Sequence, residues 1–277
     1  MKPIWVFGDF KRNDDDIKAI KQYLIDNDYK VITLGNVYEY NKNELIDVPL
    51  NCACVVIATI SLCEVLHKDY PGWVPGVIGH NNPKYDCKNY YASLKDFILN
   101  QKYEITTVAN FRQTHKEIFD TYAIDDCIFT RPCDNDKSFT GKLLMWEHFH
   151  TDIETLAVDN NDNLEIVVAE PITILGEYRF VICGGKPITA SMYRMCDQSI
   201  RSIDIPNEAW DLAERVASEF NPDPVWILDI CQAKFDKNWY VLEIGQFSGS
   251  GLYLCDPKKI VDNVSAIAEH EYRTVSL

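Results

Sequence analysis

Apolar positions run nearly unbroken through WILDIC, from Trp226, and YVLEIG, from Tyr240, with Asp236-Lys237-Asn238 between them. Two apolar runs around a polar turn predict a β-hairpin, and the serine- and glycine-rich SGSGLY behind it predicts a loop. Each predicted strand carries one carboxylate, Asp229 in the first and Glu243 in the second. A turn centred near Asp236 sets the two opposite or diagonal, with Cβ atoms ~5 Å or ~7–8 Å apart. Buried carboxylates are costly unless paired, protonated or metal-bound, and two side by side repel. A divalent cation resolves the conflict, and Mg2+ typically takes one or two carboxylates plus phosphate oxygens.

Elsewhere the same patterning gives a chain of short elements. Residues 3–9 read as a buried strand ending in a glycine turn at Gly8-Asp9 that could line a cleft. Ile17, Ile20, Lys21 and Leu24 fall at helical spacing behind an acidic first turn, predicting a helix over 13–26. Strands follow at 30–34 and at 54–60, the latter apolar enough to be buried on both faces. Strand, helix, strand, strand predicts a small α/β domain with a parallel sheet. A proline-, glycine- and tyrosine-rich loop region with a short strand at 77–78 spans 70–90, and a helix is expected over 91–99. A strand at 106–109 and a helix at 112–122 come next, with the domain boundary near residue 105.

The second half reads as mixed strands with segregated helices. Strands are expected at 127–131 and 164–169, a hairpin at 176–194 turning on Gly184-Gly185, and helices at 207–220 and 257–271. The expected architecture is therefore α+β over 106–277, preceded by a small α/β domain over 1–105.

Composition narrows the function. With 27 basic against 42 acidic residues the net charge is −15, which opposes general binding to nucleic acid or anionic membrane. No apolar run approaches the ~20 residues that span a bilayer, and the N-terminal stretch turns acidic too early for a signal peptide. Ten cysteines without a Cys-x-x-Cys pair, several inside apolar strands, read as reduced, buried thiols and a cytoplasmic location. His148 and His150 lack a second ligand pair and make a poor zinc site.

The candidate chemistry centres on a nucleotide. The loop PCDNDKSFTGK, with Lys137 and Lys142, can offer lysines and backbone N–H groups to phosphates. The strand leaving through Glu170-Pro171-Ile172 can offer backbone groups to an adenine, and Arg179 and Arg194 sit in the predicted hairpin. This order, from Arg131-Pro132 through DNDKSFTG, Glu170 and Glu177 to Asp229, Glu243 and SGSGLY, resembles the ATP-grasp superfamily over roughly residues 110–277. The first ~105 residues stand where the family carries a pre-ATP-grasp α/β domain. Arginine-proline in place of lysine-proline resembles a bacterial and phage-associated subgroup; arginine keeps the charge and adds a fork for phosphate oxygens.

The resemblance implies ATP and Mg2+ as cofactors. It assigns Arg131 and Lys137 to the phosphates, Glu170, Ile172 and Glu177 to the nucleoside, and Asp229 and Glu243 to the metal. Arg179, Arg194 and Lys137 are the candidate catalytic groups. Gly245 occupies the usual asparagine of Glu-x-Asn, which removes a metal ligand; Gln246, beside it, should point to the other face. The implied activity is an ATP-dependent carboxylate–amine ligase that activates the acid as an acyl phosphate, with small-molecule or peptide substrates and a homodimer as a common assembly. An ATP-grasp kinase and a nucleotide-binding module without turnover are the alternatives.

Overall fold

The structure is a computed structural model and describes residues 2–8, 15–135, 138–156 and 161–275. The first sheet is parallel throughout, in the order β2-β1-β3-β4, from β1 (Ile4–Gly8), β2 (Val31–Leu34), β3 (Cys52–Ile57) and β4 (Trp73–Gly76). Every residue of β3 is buried, as its unbroken apolar run requires. Two helices, α1 (Asp15–Asp26) and α2 (Ile60–Asp69), alternate with these strands. The strand expected to extend to residue 60 stops at Ile57, because Thr59 caps α2 by accepting from the Leu62 amide at 3.4 Å.

The region expected to be a loop at 70–90 holds β4 and the start of α3 (Cys87–Ser93). The helix expected at 91–99 therefore lies earlier, and Leu94, Phe97 and Ile98 instead leave α3 into a core they share with sheet residues. Periodicity located the buried positions but not the helix that ends among them. The strand expected at 77–78 is likewise displaced to β4.

The second sheet has the order β5-β8-β6-β7 and is antiparallel. It comprises β5 (Tyr103–Thr107), β6 (Cys127–Pro132), β7 (Lys142–Met145) and β8 (Glu165–Ala169). The helices α4 (Val108–Tyr122) and α5 (Phe149–Asp152) cover one face through Phe111, Phe119 and Phe149. Sequence patterning missed β7 and α5, which are only four residues each.

The third sheet, order β10-β9-β11-β12, is antiparallel and contains β9 (Ile174–Cys183), β10 (Lys186–Met195), β11 (Val225–Ala233) and β12 (Trp239–Gln246). One face packs on α6 (Asn207–Glu219) through Ala209, Leu212, Ala213 and Val216. Val181, Val225 and Ile227 on the other face enter one core with Trp5 and Phe7 of β1 and with Ile260 and Val264 of α7 (Pro257–Val275). The Trp5 indole N–H also donates to the Ser265 hydroxyl at 3.2 Å. The first and third sheets are thus joined by apolar burial, which holds the loop after β12 against the N-terminal residues. Among the described residues no helix is long and apolar enough to cross a membrane.

Candidate active site

A cleft of about 450 Å3 opens between the second and third sheets, within the ~300–1,000 Å3 typical of ligand pockets. Phe129, Leu143, Ile172, Ile174 and Leu242 form apolar wall, and Arg131, Glu177, Arg179, Arg194 and Glu243 bring charge into it. Six of the residues expected at the site thereby line one cavity: Arg131, Ile172, Glu177, Arg179, Arg194 and Glu243. Asp229 borders the small adjoining cavity that also touches Arg179, Glu243, Asn135 and Gly245.

Two β-bulges shape this wall. The pairs Gln232–Trp239, Cys231–Tyr240 and Ile230–Val241 set a register that shifts at the next step, where Asp229 pairs with Glu243. Leu242 is the extra residue. Without the shift Asp229 would meet Leu242, and alternation would turn Glu243 to the opposite face. A second shift, between Met192 and Arg194, leaves Tyr193 as the extra residue of β10. Bulges re-aim side chains in this way beside functional sites.

Each carboxylate of the opposed pair meets a guanidinium. Arg179 grips Asp229 with two hydrogen bonds, Nε to Oδ1 at 2.9 Å and Nη2 to Oδ2 at 2.6 Å, and its Nη1 donates to the Gly251 carbonyl at 2.8 Å. Arg131 donates to Glu243 Oε2 at 2.9 Å and to the Leu242 carbonyl at 3.3 Å. Burial opposes the Arg179 charge, yet the Asp229 carboxylate outweighs it and holds the guanidinium firmly protonated. Arg194 stands 3.3 Å from Glu177. Burial pushes the Glu177 carboxyl above its usual range, partly offset by hydrogen bonding from Tyr193 and by the Arg194 charge.

The remaining expected residues divide. Glu170 turns its carboxylate to Lys102 at 2.7 Å, while its carbonyl accepts from the Asn100 side chain at 3.4 Å. Lys137 and Asp9 lie outside the described residues. Gly8 packs against Ala58 and Leu62, where an added Cβ would come within 2.8 Å of each. Gln246 pairs with Trp226, three positions from Asp229, and so takes the other face of the sheet. Its Cβ lies where a side chain on Gly79 would intrude at 2.7 Å, and Gly79 has φ +86°, so only glycine suits that approach.

Sequence reasoning missed the aromatic end of the cleft. Tyr193 and Tyr253 stack with ring centres 4.8 Å apart at 11°, and the Tyr193 hydroxyl reaches Asp229 Oδ2 at 3.4 Å. Tyr253 has φ +51°, a left-handed conformation unusual for a bulky residue. Asp16 holds it there: its Oδ2 accepts from the amides of Leu252 and Tyr253, both at 2.8 Å. In the sequence Asp16 is an acidic residue in a helix's first turn, and nothing local marks its second role. Ser248, in the loop after β12, binds residues of the N-terminal half: its carbonyl accepts from Ala58 at 3.0 Å and its hydroxyl from Ile78 at 2.8 Å.

The donor set fits a hard cation with a polyphosphate. Two carboxylates oppose each other, an Asn135-bearing loop adjoins them, and an arginine stands at the end of β6 facing them. Among the described residues no cluster of three acidic, histidine or cysteine groups offers an all-protein metal cage.

Comparison with known proteins bears on the fold and the family. No curated protein matches the sequence. Among solved structures, the ATP-grasp ligase PsnB complexed with minimal precursor superposes with a TM-score of 0.55 at 15% identity, covering 96% of this chain and 99% of that one. D-alanine–D-alanine ligase from Bacillus anthracis complexed with ATP gives 0.57 at 15%, covering 99% and 98%. The D-cycloserine synthetase DcsG gives 0.59 at 13%, covering 96% and 99%. These likenesses show the fold. A family model described as "ATP-grasp domain, R2K clade family 2" matches residues 101–263, more than half of the chain, and the chain belongs to that family.

Proposed function

We propose that this protein is an ATP-dependent ligase that joins a carboxylic acid to an amine. The observation that carries the reading is the opposed pair Asp229 and Glu243, each faced by an arginine, at the end of a cleft with an apolar wall. Phe129, Leu143, Ile172 and Leu242 would take the adenine, and Glu177 the ribose. Arg131 and the loop that carries Lys137 would take the phosphates. Asp229 and Glu243 would hold Mg2+, which supplies charge neutralisation for the triphosphate. Gly245 leaves the metal with fewer protein ligands than Glu-x-Asn provides.

The family chemistry moves the γ-phosphoryl group to a carboxylate and lets an amine displace phosphate from the acyl phosphate. It requires cations around the transferring group and no side-chain nucleophile. With Glu243 holding Mg2+, Arg131 would be free to turn toward phosphate oxygens. Arg194 remains at the cleft wall to face the acid. Arg179, spent on Asp229 and the Gly251 carbonyl, would orient the metal carboxylate, a role different from that of the catalytic group expected of it. The PsnB and D-alanine–D-alanine ligase structures favour peptide or small amino-acid substrates.

Hydroxylamine tests the reading. Incubated with Mg-ATP and a pool of acids, the protein should release ADP and yield hydroxamate. ADP release without hydroxamate would indicate a kinase, and nucleotide binding without turnover a regulatory module.

A further inference from the structure

Three arginines around the cleft are matched by carboxylates: Arg131 by Glu243, Arg179 by Asp229 and Arg194 by Glu177. Arg201 is not. It is exposed and makes no ion pair among the described residues, and its guanidinium stands 5.4 Å from the ring centre of Tyr253, a residue of the cleft wall. In a chain of net charge −15, an arginine without an ion pair beside a cleft-wall residue favours an anion there over other surface positions.

The surroundings hold both chain segments in place. Ser202, next to Arg201, makes two backbone hydrogen bonds with Met192 of β10, at 2.9 and 3.2 Å. The buried Ser191 hydroxyl accepts from the Leu254 amide at 3.2 Å and lies 3.4 Å from the Ser202 carbonyl, so one residue of β10 ties together the segments that bear Arg201 and Tyr253. Tyr253 is further fixed by Asp16 and by its stack on Tyr193. Arg179, at the reacting end, approaches the same tyrosine ring at 5.1 Å. Arg179 and Arg201 thus both stand over the Tyr253 ring, and Arg201, which has no carboxylate of its own among the described residues, can grip a group other than the carboxylate that reacts.

Resting on the ligase reading above, we infer that Arg201 and Tyr253 form an acid-substrate subsite for a second anionic group. The substrate class is a dicarboxylate, such as an acidic amino acid, free or within a peptide. A guanidinium fork matches a carboxylate with two parallel hydrogen bonds, and the tyrosine face keeps that fork oriented by a cation–π contact.

The full-length protein, loaded with Mg-ADP, is tested by thermal shift against L-glutamate, L-aspartate and an acidic dipeptide, with L-glutamine and L-alanine as neutral comparisons. The same acids are offered with Mg-ATP and hydroxylamine. The acidic compounds should raise the melting temperature and give hydroxamate, with the dipeptide arm separating free from peptide-bound acid. Arg201→Gln should raise KM for the acid about tenfold or more while KM for ATP stays unchanged, and Arg201→Lys should recover part of the loss. Hydroxamate from the neutral acids as readily as from the acidic ones would overturn the subsite and leave the ligase reading standing. An unchanged acid KM in Arg201→Gln, or no thermal shift with any acidic compound, would overturn it too. Acidic compounds that bind but never yield hydroxamate would support the subsite and remove the ligase reading.

Discussion

Glu243 lies directly across from Asp229 because Leu242 bulges out of β12 and moves the register by one residue. The two carboxylates thereby share a face, and their mutual repulsion is relieved by Arg179 and Arg131. Asp229→Asn and Glu243→Gln should each weaken the Mg2+ dependence of nucleotide affinity, measured by titrating ATP with and without the metal. Unchanged Mg2+ dependence in both variants would remove the metal assignment.

The Arg179–Asp229 pair is buried, with 7% and 1% of the two side chains exposed. Removing one partner leaves the other charge buried, at a cost of about 3–5 kcal/mol. Arg179→Met should therefore unfold at markedly lower urea, whereas Arg179→Met combined with Asp229→Leu should recover much of that stability. If both single and double variants lose equally, the guanidinium stabilises through packing alone.

Arg131 makes the phosphate-side prediction. Its fork spans Glu243 and the Leu242 carbonyl, and a charged hydrogen-bonding group of this kind contributes about 1.5–3 kcal/mol. Arg131→Ala should weaken ATP binding about ten- to hundredfold, and Arg131→Lys less, by calorimetry. AMP binding should change little, because the loss falls on the outer phosphates.

Asp16 reaches across 237 residues of sequence to hold Tyr253. Asp16→Ala should raise KM for the acid more than KM for ATP, since it frees the tyrosine wall and leaves the nucleotide end intact. Asp16→Asn, which keeps an acceptor oxygen, should lie between the two. A uniform loss of folded protein with an unchanged KM ratio would mean that Asp16 serves stability only.

Glu271 offers a pH test away from the cleft. Burial and then the charge of Asp223 raise its carboxyl above the usual carboxylate range, against a smaller opposing effect of His270. The folded state binds this proton more tightly than the unfolded one, so stability falls as pH rises from the unfolded pKa through the folded one. Glu271→Gln, which cannot ionise, should melt higher than the parent protein near neutral pH, and the difference should shrink toward about pH 4. A constant difference across that range would show that the carboxyl is not raised.

Much of the third sheet was legible because its residues are decided locally. Apolar runs, the Asp236-Lys237-Asn238 turn and Gly184-Gly185 predict both hairpins, and the Trp210–Val216 region predicts α6. Asp229 stood out for the same reason, as a carboxylate with no apolar justification. The elements at 60–69, 87–93 and 142–145 were not legible: a capping threonine, a core that begins past a helix end and a four-residue strand leave little periodic signal.

By itself the amino-acid sequence determined which positions are apolar, where turns can form and which charged residues interrupt buried strands, because burial and backbone preference act residue by residue. The turn near Asp236 left Glu243 opposite or diagonal to Asp229; only the tertiary structure decided for the opposed pair, through a bulge at Leu242 that strand alternation does not predict. It also decided that Asp16 steers Tyr253 and that Arg201 stands over the Tyr253 ring with no ion pair among the described residues. Those relations depend on chain segments far apart in sequence, brought together when the first and third sheets bury one apolar core.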